Sequence, residues 1–200
     1  MARRDVLAGV GALVASPALA QISASTTRVN LLTGQGLIVL ALELTKAPIT
    51  AANFLRYVDA RRYDGATIYR ASHPPGSVDY GLIQGGLQND PAKLFKPIAH
   101  ESTTKTGLRH KDGTISIARR AQGSATSDFF ICVGEAGYLD ADPTQPGDNA
   151  GFAAFGQVVE GMDVVRAILA LPTSPTAGGP EMKGEMLRPP APILSARRAA

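Results

Sequence analysis

Arg28-Val29-Asn30-Leu31-Leu32-Thr33-Gly34-Gln35-Gly36-Leu37-Ile38-Val39-Leu40-Ala41-Leu42-Glu43-Leu44 is the stretch on which the fold turns. Two apolar, partly β-branched runs, Arg28 to Leu32 and Leu37 to Leu44, flank Thr33-Gly34-Gln35-Gly36, whose glycines suit a reversal. The pattern predicts a β-hairpin. Directly after it the period changes. Ala51, Phe54, Leu55 and Val58 recur at i, i+3, i+4 and i+7, one helical stripe, and Pro48 sits near the start, where a missing N–H does no harm. Thr50, Asn53, Arg56 and Asp59 fall elsewhere on that helix and are expected to face water, and Tyr63-Asp64-Gly65 marks the turn after it.

Further strands are expected at Ala66 to Arg70, Gly81 to Gly85, Thr114 to Ala118, Asp128 to Val133 and Ala153 to Val159. A second helix is expected from Met162 to Leu171, with Met162, Val165, Ile168 and Leu169 as its apolar face and Pro172 as its stop. Residues 172–191 are rich in Pro and Gly and read as an irregular connection, before a last strand at Ala191 to Ala196. Short strands with only two helices do not make a βαβ alternation. They predict a mainly β fold, an antiparallel sheet of about eight strands closed into a barrel, because closure removes exposed edges. The two amphipathic helices are expected to plug its ends.

Composition bounds the function. With 200 residues, 44% hydrophobic and 18% charged, the chain can fill one domain's core and is not a disordered sequence. No run approaches the ~20 apolar residues of a membrane-spanning helix. A single cysteine, Cys132, excludes an internal disulfide framework and a Cys-based zinc cluster. A net charge of only +3 gives little basis for nucleic-acid binding.

The N-terminus reads as an address. Arg3-Arg4 is followed by a weakly apolar stretch from Val6 to Val14 and by Ala18-Leu19-Ala20, a small-x-small signal before Gln21. Residues 1–20 are therefore expected to be a signal peptide and 21–200 a single domain. The arginine pair resembles a twin-arginine export signal; a general secretory signal is the competing reading. Either route implies the periplasm.

Tests for common catalytic signatures fail. His100-Glu101 begins a zincin-like motif, but Thr104 stands where the second histidine belongs. Gly123-Ser124-Ala125-Thr126-Ser127 is not a nucleophile elbow. His73, His100 and His110 read as loop or surface histidines, and a Ser-His hydrolase stays a third, weaker reading. Cys132, inside Phe129-Phe130-Ile131-Cys132-Val133, reads as a buried, inert thiol.

At Tyr69-Arg70, Ile83-Gln84-Gly85-Gly86 and Ser127-Asp128-Phe129-Phe130-Ile131 the sequence resembles a cyclophilin-type peptidyl-prolyl cis–trans isomerase. Tyr63 to Arg70 resembles the family's Y-x-G-T-x-F-H-R strand, Ala51 to Leu55 its first helix, and Gly113 to Arg119 its GxxSMAR stretch. Tyr138-Leu139-Asp140 and Phe155 to Asp163 complete a set that covers residues 28–170 in the family's order. The resemblance implies an eight-stranded barrel capped by two helices. It also implies catalysed rotation about X–Pro bonds, without metal or cofactor, in proline-containing segments of unfolded or flexible proteins. The expected state is a monomer.

By the same resemblance Arg70 is the catalytic donor, Gln84 positions it and binds substrate backbone, and Phe130 floors the proline pocket. Leu82 and Phe152 line that pocket, Ala118 and Arg119 border the groove, and Tyr138 and Leu139 form its far wall. Tyr138 stands where the family has Trp or Phe before the leucine; it keeps an aromatic wall, and the resemblance implies weak cyclosporin binding. Phe129, next in sequence to Phe130, should face the core. This reading requires the Arg70 guanidinium to lie beside an apolar notch and outside any internal ion pair. The pattern departs in four places: residues 71–82 are altered, Gly81 falls where an aromatic is expected with Tyr80 as a substitute, Asp128 replaces a glutamine, and the loop Ala141 to Ala150 is longer than in compact members. These departures leave open a catalytically weak or inactive module that grips proline-containing peptides.

Overall fold

A computed structural model describes residues 26–75, 77 and 79–199. The expected signal peptide lies outside the described residues. The hairpin forms as β1 (Thr26–Thr33) and β2 (Gly36–Glu43), paired from Thr26↔Glu43 to Thr33↔Gly36. Then follow α1 (Pro48–Asp59), β3 (Thr67–Ser72), β4 (Gly81–Gly86), a single turn α2 (Thr103–Thr106), β5 (Thr114–Ile117) and β6 (Phe129–Val133). After a 3₁₀ turn at Gly137–Leu139 come β7 (Ala153–Glu160), α3 (Met162–Leu169), the two-residue β8 (Thr173–Ser174) and β9 (Met186–Arg198). The strand order β1-β2-β7-β5-β6-β4-β3-β9, with β9 returning to β1, closes an eight-stranded antiparallel barrel; β8 is an appendage on β9.

The helices plug opposite ends. At one end of β2, the position of Gly36 packs against Val164 of α3; at the other, the Ala47 N–H before α1 donates to the Glu43 carbonyl. From α1, Phe54 meets Tyr63, Phe129 and Phe155 at ring separations of 5.1, 5.5 and 5.4 Å, an aromatic centre for the barrel. From α3, Val165, Ile168 and Leu169 join the same core.

Three expectations change. Thr50 and Asn53 are buried rather than solvated, because the chain after β4 covers that flank of α1. Glu101 accepts from the Thr50 N–H and hydroxyl, and the Asn53 amide donates to the Thr126 carbonyl. The final strand begins at Met186, so the irregular connection is confined to residues 175–185. Leu187, Ala191, Ile193 and Ala196 supply its buried face, while Pro189 and Pro190 are exposed and outside its pairings with β3 and β8, where no ladder N–H is needed. The expected helix over 162–171 ends at Leu169.

Candidate active site

Cross-strand register assembles the site. Arg70 of β3 pairs with Gln84 of β4, Gln84 with Phe130 of β6, and Phe130 with Ser116 of β5. Residues directly opposite in an antiparallel ladder point to the same face. Arg70, Gln84 and Phe130 therefore form one row on the outer face of the barrel, while Phe129 and Ile131 alternate into its interior. With strands ~4.8 Å apart, the row spans about 10 Å of backbone, the length of roughly three extended residues.

At one end of the row is a hydrogen-bonded chain. Arg70 Nη1 donates to Gln84 Oε1 at 2.8 Å, and Gln84 Nε2 donates to the Tyr69 hydroxyl at 2.7 Å. The Tyr69 hydroxyl donates to Asp128 Oδ2 at 3.0 Å. Asp128 also accepts from the Leu87 and Gln88 N–H groups and the Ser127 hydroxyl. Burial raises the Asp128 pKa and the four donors oppose that rise; with donors and no acceptor converging on it, the geometry gives Asp128 the acceptor role throughout. That choice propagates. Tyr69 must donate to Asp128, so it accepts from the Gln84 amide nitrogen, which turns the Gln84 oxygen toward Arg70. Asp128 stands where the resembled motif has glutamine, Tyr69 where the Y-x-G-T-x-F-H-R strand has histidine, and the two side chains meet. A side chain at Gly86 would strike Asp128, and its φ of +135° suits glycine.

The guanidinium of Arg70 is ion-paired, contrary to expectation. Its Nε donates to Glu185 Oε2 at 2.7 Å, and Nη2 lies 2.7 Å from the same oxygen. Glu185 comes from the connection before β9, a segment in which sequence reasoning found no site residue. Three contacts use three of the five guanidinium N–H groups. The other two have no partner among the described residues.

Phe130 anchors the other end. Leu82, Cys132, Ala136 and Leu139 form a buried cluster with it, and Ala118 and Phe152 pack against that cluster. The Phe152 ring meets Phe130 edge-on at 5.3 Å. Burial pushes the Cys132 thiol up to about 12, which keeps it protonated and inert. Tyr138 stands at the rim, 65% exposed. Gly81 carries no pocket aromatic, because a Cβ there would collide with the Ser72 carbonyl. Tyr80 instead lies beside Tyr138 and against Gly134. A groove of about 440 Å³ runs past Tyr69, Gln84, Ala118 and Arg119 to Met182.

Arg119 borders that groove but offers substrate no donor. Its Nε and Nη2 donate to the Gly151 carbonyl, Nη1 donates to the Arg120 carbonyl, and Nη1 and Nη2 grip Asp148 at 2.6 and 2.9 Å. All five N–H groups are spent on bracing the loop beside Phe152. Of the two arginines expected at the site, Arg70 alone keeps donors in reserve among the described residues.

His110 is a residue that sequence reasoning missed. It is 1% exposed, not a surface histidine, and its ring stacks on Phe130 at 5.9 Å and 16°. Nδ1 lies 2.7 Å from Asp140 and Nε2 lies 2.9 Å from the Ser116 hydroxyl. This Ser-His-Asp line is no hydrolase site: Ser116, paired across from Phe130, is fully buried and out of reach of a substrate. Burial lowers the His110 pKa below the usual 6.5, and Asp140 opposes that shift without overcoming it. The ring is therefore neutral at pH 7, Nδ1–H donates to Asp140, and Nε2 accepts from Ser116. Its contribution is fully present above pH 6.5 and is lost as pH falls toward the lowered folded-state value, because the unfolded chain takes the proton first. Thermal unfolding should show the wild type losing stability from pH 7 to pH 5 more steeply than His110→Gln. Parallel profiles would show that His110 does not titrate on unfolding.

The family model described as "Cyclophilin type peptidyl-prolyl cis-trans isomerase/CLD" matches residues 28–195. A peptidyl-prolyl cis-trans isomerase of Acinetobacter baylyi is 36% identical over 87% of this chain and 86% of its own length. Peptidyl-prolyl cis-trans isomerase A of Dickeya dadantii is 35% identical over 85% and 86%. The crystal structure of a Cryptosporidium parvum cyclophilin type isomerase has a TM-score of 0.68 at 16% identity, covering 88% of this chain and 98% of that one. The same protein crystallised with the dipeptide Ala-Pro gives 0.67 at 17% identity, over 86% and 99%. The chain belongs to the cyclophilin-type peptidyl-prolyl cis–trans isomerase family, and its enzyme class is that of a prolyl isomerase.

Proposed function

We propose that isomerisation takes place along the Arg70–Gln84–Phe130 row and that the substrate is an exported, proline-containing chain. Rotation about an X–Pro bond is opposed by amide resonance, with a barrier of ~18–20 kcal/mol. In the twisted state the prolyl nitrogen lone pair is localised and accepts a hydrogen bond, so a fixed N–H aimed at it favours the transition state over either planar form. The proline ring fits the apolar cluster over Phe130, and the spare Gln84 N–H is placed to hold substrate backbone. Arg70 supplies the donor. The supporting observation is its two N–H groups without a partner among the described residues, on a guanidinium fixed at three points and two strand steps from Phe130. The pair with Glu185 is partly exposed rather than internal, and a hydrogen bond to nitrogen needs an oriented N–H rather than net charge.

The expected signal peptide supports a periplasmic folding assistant. Expression of the full chain in a Gram-negative host should yield periplasmic protein beginning at Gln21; full-length protein retained in the cytoplasm would overturn that assignment. The ion pair on Arg70 favours the second reading, a weak module that grips proline-containing segments. Exchange NMR on an Ala-Pro peptide separates the two. Wild type should accelerate cis–trans exchange, and Arg70→Lys, which keeps the charge but loses the planar fork, should be at least about 10-fold slower. Binding shifts without accelerated exchange would support the module.

A further inference from the structure

The geometry points to Glu185 as a positioning residue for the proposed donor Arg70, built into the site by the connection that precedes β9. The inference rests on the catalytic reading of Arg70. Three features carry it. First, Glu185 meets the Nε–Nη2 edge of the guanidinium through one oxygen, with Nε and Nη2 both 2.7 Å away, while Gln84 takes Nη1. Contacts on both sides of a planar group leave it no freedom to rotate about the last side-chain torsions. Second, the carboxylate is itself held: its other oxygen accepts from the Ser72 hydroxyl at 2.7 Å. Third, the backbone is pinned. The Ala71 N–H donates to the Glu185 carbonyl, Glu185 N–H donates to the Met182 carbonyl, and Met186 pairs with Arg70 in the β3–β9 ladder. A side chain at Gly178, which has a φ of +98°, would collide with the Met182 carbonyl, so the connection is drawn into a tight turn.

The functional consequence is pre-organisation. A free arginine samples many rotamers, and part of that freedom must be lost each time the donor is aimed. Glu185 and Gln84 remove that loss before substrate arrives. The pair is partly exposed, with side chains 19% and 29% accessible, so solvent screens the attraction and the guanidinium keeps contact with solvent beside Gln84, which lines the groove. The same turn brings Met182 into the wall of the groove that Gln84 and Ala118 also line.

Exchange kinetics on an Ala-Pro peptide test this. Glu185→Ala should lower kcat about 10-fold while KM stays within about 2-fold, since the loss is of aim rather than of pocket. Glu185→Gln keeps an acceptor oxygen and should recover part of the rate. The Arg70 Nε–H resonance should be sharp and slowly exchanging in wild type and broadened in Glu185→Ala. Unchanged kcat, or a higher one, with Arg70 Nε–H unaltered would overturn the positioning role. Arg70→Ala run alongside separates the claims: a dead Arg70→Ala with a fully active Glu185→Ala defeats the clamp alone, whereas an active Arg70→Ala defeats the catalytic reading beneath it.

Discussion

Replacing Arg70 with alanine should lower kcat/KM on an Ala-Pro peptide by about 100- to 1,000-fold, the size seen when one pre-organised donor is removed from a transition state. The substitution leaves the Phe130 cluster intact, so peptide-induced shifts should persist at similar concentrations. Stability should change by about 1 kcal/mol or less, because Arg70 and Glu185 form a partly exposed pair. The substitution strands the Glu185 carboxylate, so Arg70→Ala/Glu185→Ala should restore any lost stability but no activity. Turnover that survives in the single variant would place the donor elsewhere.

The second large effect belongs to Phe130. Phe130→Ala removes a ring that is 3% exposed and held between the His110 face and the Phe152 edge. Truncating a buried phenylalanine costs about 3–5 kcal/mol, and here it also removes the pocket floor. Thermal melts and peptide titration should both move, with binding weakened at least about 10-fold. Phe129 provides the contrast, since it faces inward against Phe54 and Tyr63 at 5.5 and 5.7 Å. Phe129→Leu should destabilise the fold while leaving KM unchanged in the folded fraction. Weakened binding in Phe129→Leu, with Phe130→Leu unaffected, would reverse the assignment of faces.

The motif order of the chain leads to Arg70, Gln84 and Phe130 because their neighbours in sequence are distinctive. Glu185 has no such neighbours. It reaches Arg70 across 115 residues from a Pro/Gly-rich connection, and it gains its role from the pairing of β3 with β9. His110 was misread for a related reason: a lone histidine after an arginine is solvated unless tertiary packing lays it against a ring. Arg119 shows the converse. Its position beside the groove follows from the motif, but the saturation of its five donors depends on the Asp148–Gly151 loop folding back over it. Thr50 and Asn53 lie off the apolar stripe, and what buries them is a later segment that periodicity within the helix does not register.

Alternation with period two, one period-3.6 stripe and the punctuation of glycine and proline are local properties, so they were sufficient for the hairpin, both capping helices, the strand set and the opposite facing of Phe129 and Phe130. Register is not local. A one-residue slip between β3 and β4 would move Gln84 away from Arg70 without altering any strand, and only closure of the barrel, which must bury every inward side chain at once, selects the pairing that lines Arg70, Gln84 and Phe130 along one face and brings Glu185 to meet them.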